Sequence, residues 1–149
     1  MTSSSRFGSL TPVPLREAWA HEAHAFTPWL IDNIDQLADA VGIPLEVLRT
    51  EATIDGFQAD ILARNGADGS FVIIENQLQS SDNVHLGQLL TYFAGHKART
   101  AIWIAADFKD AHLSVLRWAN ASAGAPFAFF AVRLNVVRIG ASPFAPPTR

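Results

Sequence analysis

The chain has 149 residues, 49% hydrophobic and 17% charged, with Lys+Arg 11 against Asp+Glu 14, a formal net charge of −3 and no cysteine. One domain of this size buries about 68–70% of the surface its unfolded chain exposes, so wholesale disorder is excluded. Disulfides, thiolate metal sites and cysteine nucleophiles are excluded with it. No apolar run approaches the ~20 residues of a membrane span, and Met1–Arg6 lack an apolar h-region, so no secretory signal is expected. A cytoplasmic, non-membrane protein is the expectation. The net acidity excludes a basic surface that coats nucleic acid. Nine of the eleven cations are arginines, and arginine makes local bidentate phosphate contacts that total charge does not report.

A single domain over residues 1–149 is expected, with loose arms at about 1–14 and 141–149. The first is rich in Ser, Thr and Pro; the second carries three prolines, which cannot form a central strand or helix. Between them, Leu15 to Phe26 reads as a helix with Leu15, Trp19 and Phe26 on one side. Thr27-Pro28 reads as an N-cap followed by proline at the first helical position. A second helix then runs to about Val41, where Gly42 ends it and Pro44 bars its return. Leu45 to Ile54 reads as a strand, Asp55-Gly56 as a hairpin turn, Phe57 to Arg64 as the second strand, Asn65–Gly69 as another turn and Phe71 to Gln77 as the third strand. A polar loop, Gln79–Asn83, leads to a helix from about Val84 to Ala98. Ala101–Ala105 reads as a buried strand, Asp110 to Ser122 as a helix carrying Leu113, Leu116 and Trp118, and Phe127–Leu134 and Asn135–Ile139 as two late strands. The class is α/β (α+β): an αβββαβ core with a mixed central sheet flanked by helices.

The chemistry concentrates in the second hairpin. Asp60 and Glu75 lie symmetrically about the Asn65–Ser70 turn, so a regular hairpin sets them opposite each other. Like charges there destabilise a sheet, and such a pair persists most easily with a cation between the carboxylates. Hard oxygen donors with open water positions suit Mg²⁺ or Mn²⁺. The other reading is a different register with one carboxylate solvated at a strand end. Gln77 points to the same face as Glu75. On the first helix Glu22 falls among Leu15, Trp19 and Phe26; it is either a ligand or a boundary residue with its head in water. His21 and His24 lack the spacing of a helical zinc pair. The middle helix carries a polar stripe, His85, Gln88, Tyr92 and His96, opposite Leu86, Leu89, Leu90 and Phe93. Gly87 and Gly95 in that helix each cost ~1 kcal/mol against Ala, which suggests close packing or close ligand approach.

Together these residues resemble the PD-(D/E)xK nuclease superfamily, whose restriction-endonuclease-like core runs αβββαβ. The matching positions are Glu22, Asp60 and Glu75-Asn76-Gln77. Gln88-Leu-Leu-Thr-Tyr92 is similar to the Q-x-x-x-Y motif of RecB-like members. Arg16-Glu-Ala-Trp19, Phe26–Leu30, Ile74–Gln77, His85–Gln88, Ile102–Ile104 and Arg138–Ser142 further resemble a largely uncharacterised prokaryotic family within that superfamily. The chain departs from the superfamily at Gln77, which stands where lysine is usual and carries no charge.

The resemblance implies a metal-dependent nuclease acting on nucleic acid, DNA rather than RNA. Glu22, Asp60, Glu75 and the backbone carbonyl of Asn76 would hold Mg²⁺ or Mn²⁺, Gln77 would orient the attacking water, and Gln88 with Tyr92 would hold the phosphate or the acid. A protein partner for targeting and a homodimer are among the expected partners. The alternative is a catalytically inactive nuclease-fold module that binds nucleic acid or a protein. A third reading is an interaction module with Phe127, Phe129 and Phe130 on an interface strand.

Overall fold

The computed structural model describes residues 10–19, 25–54 and 57–139. In chain order the elements are β1 (Leu10–Val13), α1 (Leu15–Ala18), α2 (Thr27–Asp32), α3 (Ile34–Val41), β2 (Leu45–Ile54), β3 (Phe57–Asn65), β4 (Phe71–Ser80), α4 (Asn83–Gly95), β5 (Thr100–Asp107), α5 (Asp110–Ala123), β6 (Ala128–Arg133) and β7 (Val136–Ile139). Among these helices none is long and apolar enough to cross a membrane.

Five strands form one mixed sheet in the order β2-β3-β4-β5-β6. The first three make an antiparallel meander. Then α4 carries the chain over to β5, parallel to β4, and α5 carries it to β6, parallel to β5. Parallel strands need such crossovers, and the helices they bring cover the sheet. Alternate side chains supply both layers. Leu62, Ile73, Trp103 and Phe129 pack under α4 and α5 with Leu89, Tyr92 and Leu116. On the other face Ile61, Ile74, Ile102 and Ile104 pack against Leu15, Phe26, Leu30 and Leu37. The continuous apolar run of β5 is therefore buried on both sides.

The strands and the two crossover helices lie where the sequence pattern sets them. Gly42 ends α3 in the left-handed region at φ 72°, a conformation that glycine adopts without strain. The N-terminal helix differs. It stops at Ala18, because Trp19 is extended (φ −132°, ψ 111°) and joins an aromatic cluster with Phe26 and Trp29 at ring separations of 5.0–5.7 Å. A continuous helix from Leu15 to Phe26 is thereby ruled out. Thr27 is itself the first residue of α2; the N-cap is Phe26, which has no side-chain capping bond. Asn33 (φ −120°, ψ 26°) splits the expected second helix into α2 and α3.

Within the expected N-terminal arm, Leu10–Val13 instead pair antiparallel with Val136–Ile139; the other arm, 141–149, lies outside the described residues. Phe129 and Phe130 point into the two core layers instead of forming an interface strand. Trp118, read with the apolar residues of its helix, is 69% exposed.

A Cβ on Gly87 would meet nothing within 4 Å, so close packing does not explain this glycine. Gly87→Ala should therefore stabilise α4 by about 0.5–1 kcal/mol, a rise of about 2–4 °C in melting temperature per kcal/mol at this size. A variant that melts below wild type would show that the residue is constrained by something other than helix propensity.

Candidate active site

The site begins where β3 and β4 part. Their ladder runs from Arg64–Phe71 to Ile61–Ile74 and ends there. The same register, carried one residue further, sets Asp60 opposite Glu75, as the symmetric hairpin predicts. Beyond that point β3 continues with β2, while β4 continues along β5. A strand that loses its neighbour is left with unpaired backbone groups. Here the Asn76 N–H donates to Asp60 Oδ2 at 2.8 Å. The Asp60 carboxylate thus closes the fork and lies against the Glu75–Asn76 peptide.

Glu75 is 3% exposed and projects to the α4 side of the sheet, with Ile73 and Gln77. Asn76 projects to the opposite side, where it is fully buried and its Nδ2 donates to Thr27 Oγ1 at 3.4 Å. Within a ladder the N–H and C=O of one residue face the same neighbouring strand, so the Asn76 carbonyl opens toward the fork. Two carboxylates and a carbonyl are hard oxygen donors. Mg²⁺ commonly takes one or two carboxylates and keeps several waters, so these residues fit the expected divalent ion. Among the described residues no cluster of three or more His, Cys, Asp or Glu exists. Glu22 lies outside the described residues. The helical-wheel argument that sets it beside Trp19 and Phe26 falls with the helix.

Gln77 is fully buried, and its amide is engaged at both ends. Nε2 donates to the Ser80 carbonyl at 2.8 Å, and Oε1 accepts from Trp103 Nε1 at 3.2 Å. The Gln77 amide also faces the Asp82 carboxylate closely enough to favour its charged form. Asp82 caps α4, its Oδ1 accepting from the His85 N–H at 2.8 Å and standing 2.7 Å from His85 Nδ1. Partial burial works against the Asp82 carboxylate. The hydrogen bonds from the His85 backbone and ring, the charge of His85 and the Gln77 amide outweigh it and hold its pKa below the ordinary aspartate value.

The α4 stripe is divided. Gln88 is half-buried, but Tyr92 is 2% exposed and belongs to the core layer under the helix. The structure therefore brings Asp60, Glu75, Asn76 and Gln77 together at the fork and lays the helix of Gln88 and Tyr92 over the same face of the sheet.

Two features lie beside the site. Asp82, placed by the sequence reading in a polar loop, is the N-cap of α4, and an acidic residue before a helix is the signal that could have found it. The second is a buried relay. Ser81 Oγ lies 2.6 Å from His112 Nδ1 and accepts from the Lys109 N–H at 2.9 Å. His112 Nε2 lies 2.7 Å from Asn83 Oδ1. This relay ties the β4–α4 loop to α5. Its ends are 31 residues apart in the chain, so no local pattern announces it.

No protein-family model matches the chain, and no curated protein matches it. Among solved structures, a repair endonuclease from Pyrococcus abyssi superposes with a TM-score of 0.56 at 15% identity, covering 69% of this chain and 44% of its own. The protein of the EndoMS–dsDNA2 complex superposes with a TM-score of 0.54 at 18% identity, covering 72% of this chain and 43% of its own. The chain spans less than half the length of either. What it shares with them is the fold: a restriction-endonuclease-like mixed sheet with helices on both faces.

The fork makes a stability prediction. Asp60→Ala leaves the Asn76 N–H without its acceptor and should cost about 1–3 kcal/mol. Asp60→Asn keeps an acceptor oxygen and removes one of two opposed charges, so its cost should stay under about 1 kcal/mol. Thermal melting in EDTA reads both. Equal melting of Asp60→Ala and wild type would show that this bond does not hold the fork.

Proposed function

We propose that the chain is a metal-dependent nuclease that hydrolyses phosphodiester bonds of DNA. The observation that carries this reading is the fork, where Asp60 and Glu75 meet on neighbouring strands of a nuclease fold. Gln88 and Tyr92 fall on the next helix, as in the RecB-like pattern, which supports membership of that branch of the superfamily. Double-stranded DNA as the substrate rests on the EndoMS–dsDNA2 complex, by analogy of fold.

Asp60, Glu75 and the Asn76 carbonyl would hold Mg²⁺ or Mn²⁺, with Glu22 as a further ligand. The bound ion would lower the pKa of a water and neutralise charge on the scissile phosphate. The chain's own residues do the rest. Asp60 is fixed by the Asn76 N–H and cannot swing away from Glu75. Gln77 acts through what it holds, since both ends of its amide are occupied; it fixes Trp103 beneath the site and Ser80 at the end of β4. Gln88, half-buried on α4, would contact the phosphate. The same engaged, uncharged Gln77 is what favours the second reading, a nuclease-fold module that binds nucleic acid without cutting it.

Cleavage of linear, circular and single-stranded DNA with Mn²⁺, Mg²⁺ or EDTA separates the two. The nuclease reading expects metal-dependent cutting that Glu75→Gln abolishes. It expects Gln88→Ala to lower cutting substantially with an unchanged circular dichroism spectrum. Gln77→Lys removes the acceptor of Trp103 and should reduce cutting tenfold or more, since misplaced catalytic groups lose at least that much. Cutting by Gln77→Lys at or above the wild-type rate would mean that the glutamine merely stands in for lysine. Metal-independent DNA binding with no cutting under any condition would establish the binding module.

A further inference from the structure

The superfamily's usual lysine is a charged, proton-bearing group, and Gln77 replaces it with a neutral one. A group able to carry a proton nevertheless stands in the first turn of α4, just past the loop that Gln77 holds. Gln77 Nε2 is bonded to the Ser80 carbonyl, two residues before Asp82, and Asp82 Oδ1 stands 2.7 Å from His85 Nδ1. A carboxylate at Nδ1 fixes the ring's orientation and leaves Nε2 facing away from it, as the orienting acid of a catalytic triad does.

The Asp82 carboxylate is itself fixed by the His85 backbone N–H at 2.8 Å. The pair therefore has one geometry, set by the helix cap. Nε2, on the far edge of the ring, has no hydrogen-bond partner among the described residues. The His85 side chain is 22% exposed, open enough for a solute to reach and enclosed enough to be partly desolvated. Gln77 lies two residues beyond Glu75 on the same face of β4, so its contacts start beside the acids of the fork. A capping role alone does not require the ring contact, because the backbone N–H already satisfies Asp82.

We propose that His85 is the general acid of this site: held by Asp82, it donates the proton on Nε2 to the oxygen that leaves the scissile phosphate. This rests on the nuclease reading above. In the step, a water oxygen forms a bond to phosphorus while the bond from phosphorus to the leaving oxygen breaks. The leaving oxygen takes the broken bond's electron pair and receives the Nε2 proton. The attacking water's surplus proton goes to solvent, and the neutral imidazole is reprotonated from solvent. Asp82 is a positioning residue, since it acts through His85.

The test uses the full chain with Mn²⁺ and two DNA duplexes. One is unmodified. In the other, sulfur replaces the bridging oxygen that the wild-type products identify as the leaving group. A thiolate leaves without a proton, so a general acid matters only for the oxygen substrate. His85→Ala should cut unmodified DNA about a hundredfold more slowly or worse, and should cut the sulfur-substituted duplex within a fewfold of wild type. Added imidazole should restore part of the lost rate. His85→Asn, which keeps a donor toward Asp82, should show the same substrate pattern. Both variants should melt like wild type and bind DNA unchanged. Equal loss on both duplexes, no loss on either, or full activity of His85→Asn would each overturn the proposal, the last by showing that the dyad only caps the helix. Wild type that cuts neither duplex would overturn the nuclease reading itself, and this proposal with it.

Discussion

Strand β4 cannot keep the same two neighbours along its whole length. Its first half is paired on both sides, with β3 antiparallel and β5 parallel. After Ile74, β3 turns away while β5 stays. Every backbone group on the abandoned side of β4 then needs another partner or a cost of a few kcal/mol is incurred. The Asp60 carboxylate meets that need at Asn76. An acid is therefore held at the fork by a structural requirement of the sheet, next to a second acid that the alternation of β4 turns toward α4. The site is a consequence of how the sheet divides, and its two acids stay close because strand pairing, rather than loop geometry, sets their spacing.

This explains why so much of the site was legible in the sequence. The hairpin register follows from the position of the Asn65–Ser70 turn, and a one-residue slip would move Ile61, Ile74 and Leu62 to the wrong faces. The apolar pattern that fixes the core thus also sets Asp60 against Glu75. The strands declared themselves through β-rich runs bounded by glycine, asparagine and proline turns. The crossover helices declared themselves through leucine spacing, and their order in the chain gave the mixed sheet.

What was not legible depends on partners remote in sequence. Trp19 continues the helical pattern of Leu15, yet it is extended, because contacts with Phe26 and Trp29 outweigh one more helical turn. A four-residue helix has little propensity to set against such burial. Leu10–Val13 look like a linker until Val136–Ile139 return beside them. Tyr92 matched a motif and the polar stripe, but its ring packs in the core. His112 offered no signal because its partners, Ser81 and Asn83, lie on a different element.

The least legible residue was Gln77, which stands where the pattern that the sequence resembles carries lysine. At Gln77 a sequence reading sees a lost charge and asks what else could orient a water. The structure shows a different economy of groups. A buried lysine would need a counter-charge or lose its proton. A buried glutamine needs only hydrogen bonds, and Ser80 and Trp103 supply partners for both ends of its amide. With the amide so engaged, position 77 pins the end of the strand that carries Glu75 to Ser80, two residues before the cap of α4. On the proposed nuclease reading a charge for the chemistry would come from a residue with access to solvent, and His85, oriented by Asp82 at 2.7 Å and 22% exposed, is the group beside this loop that meets that requirement.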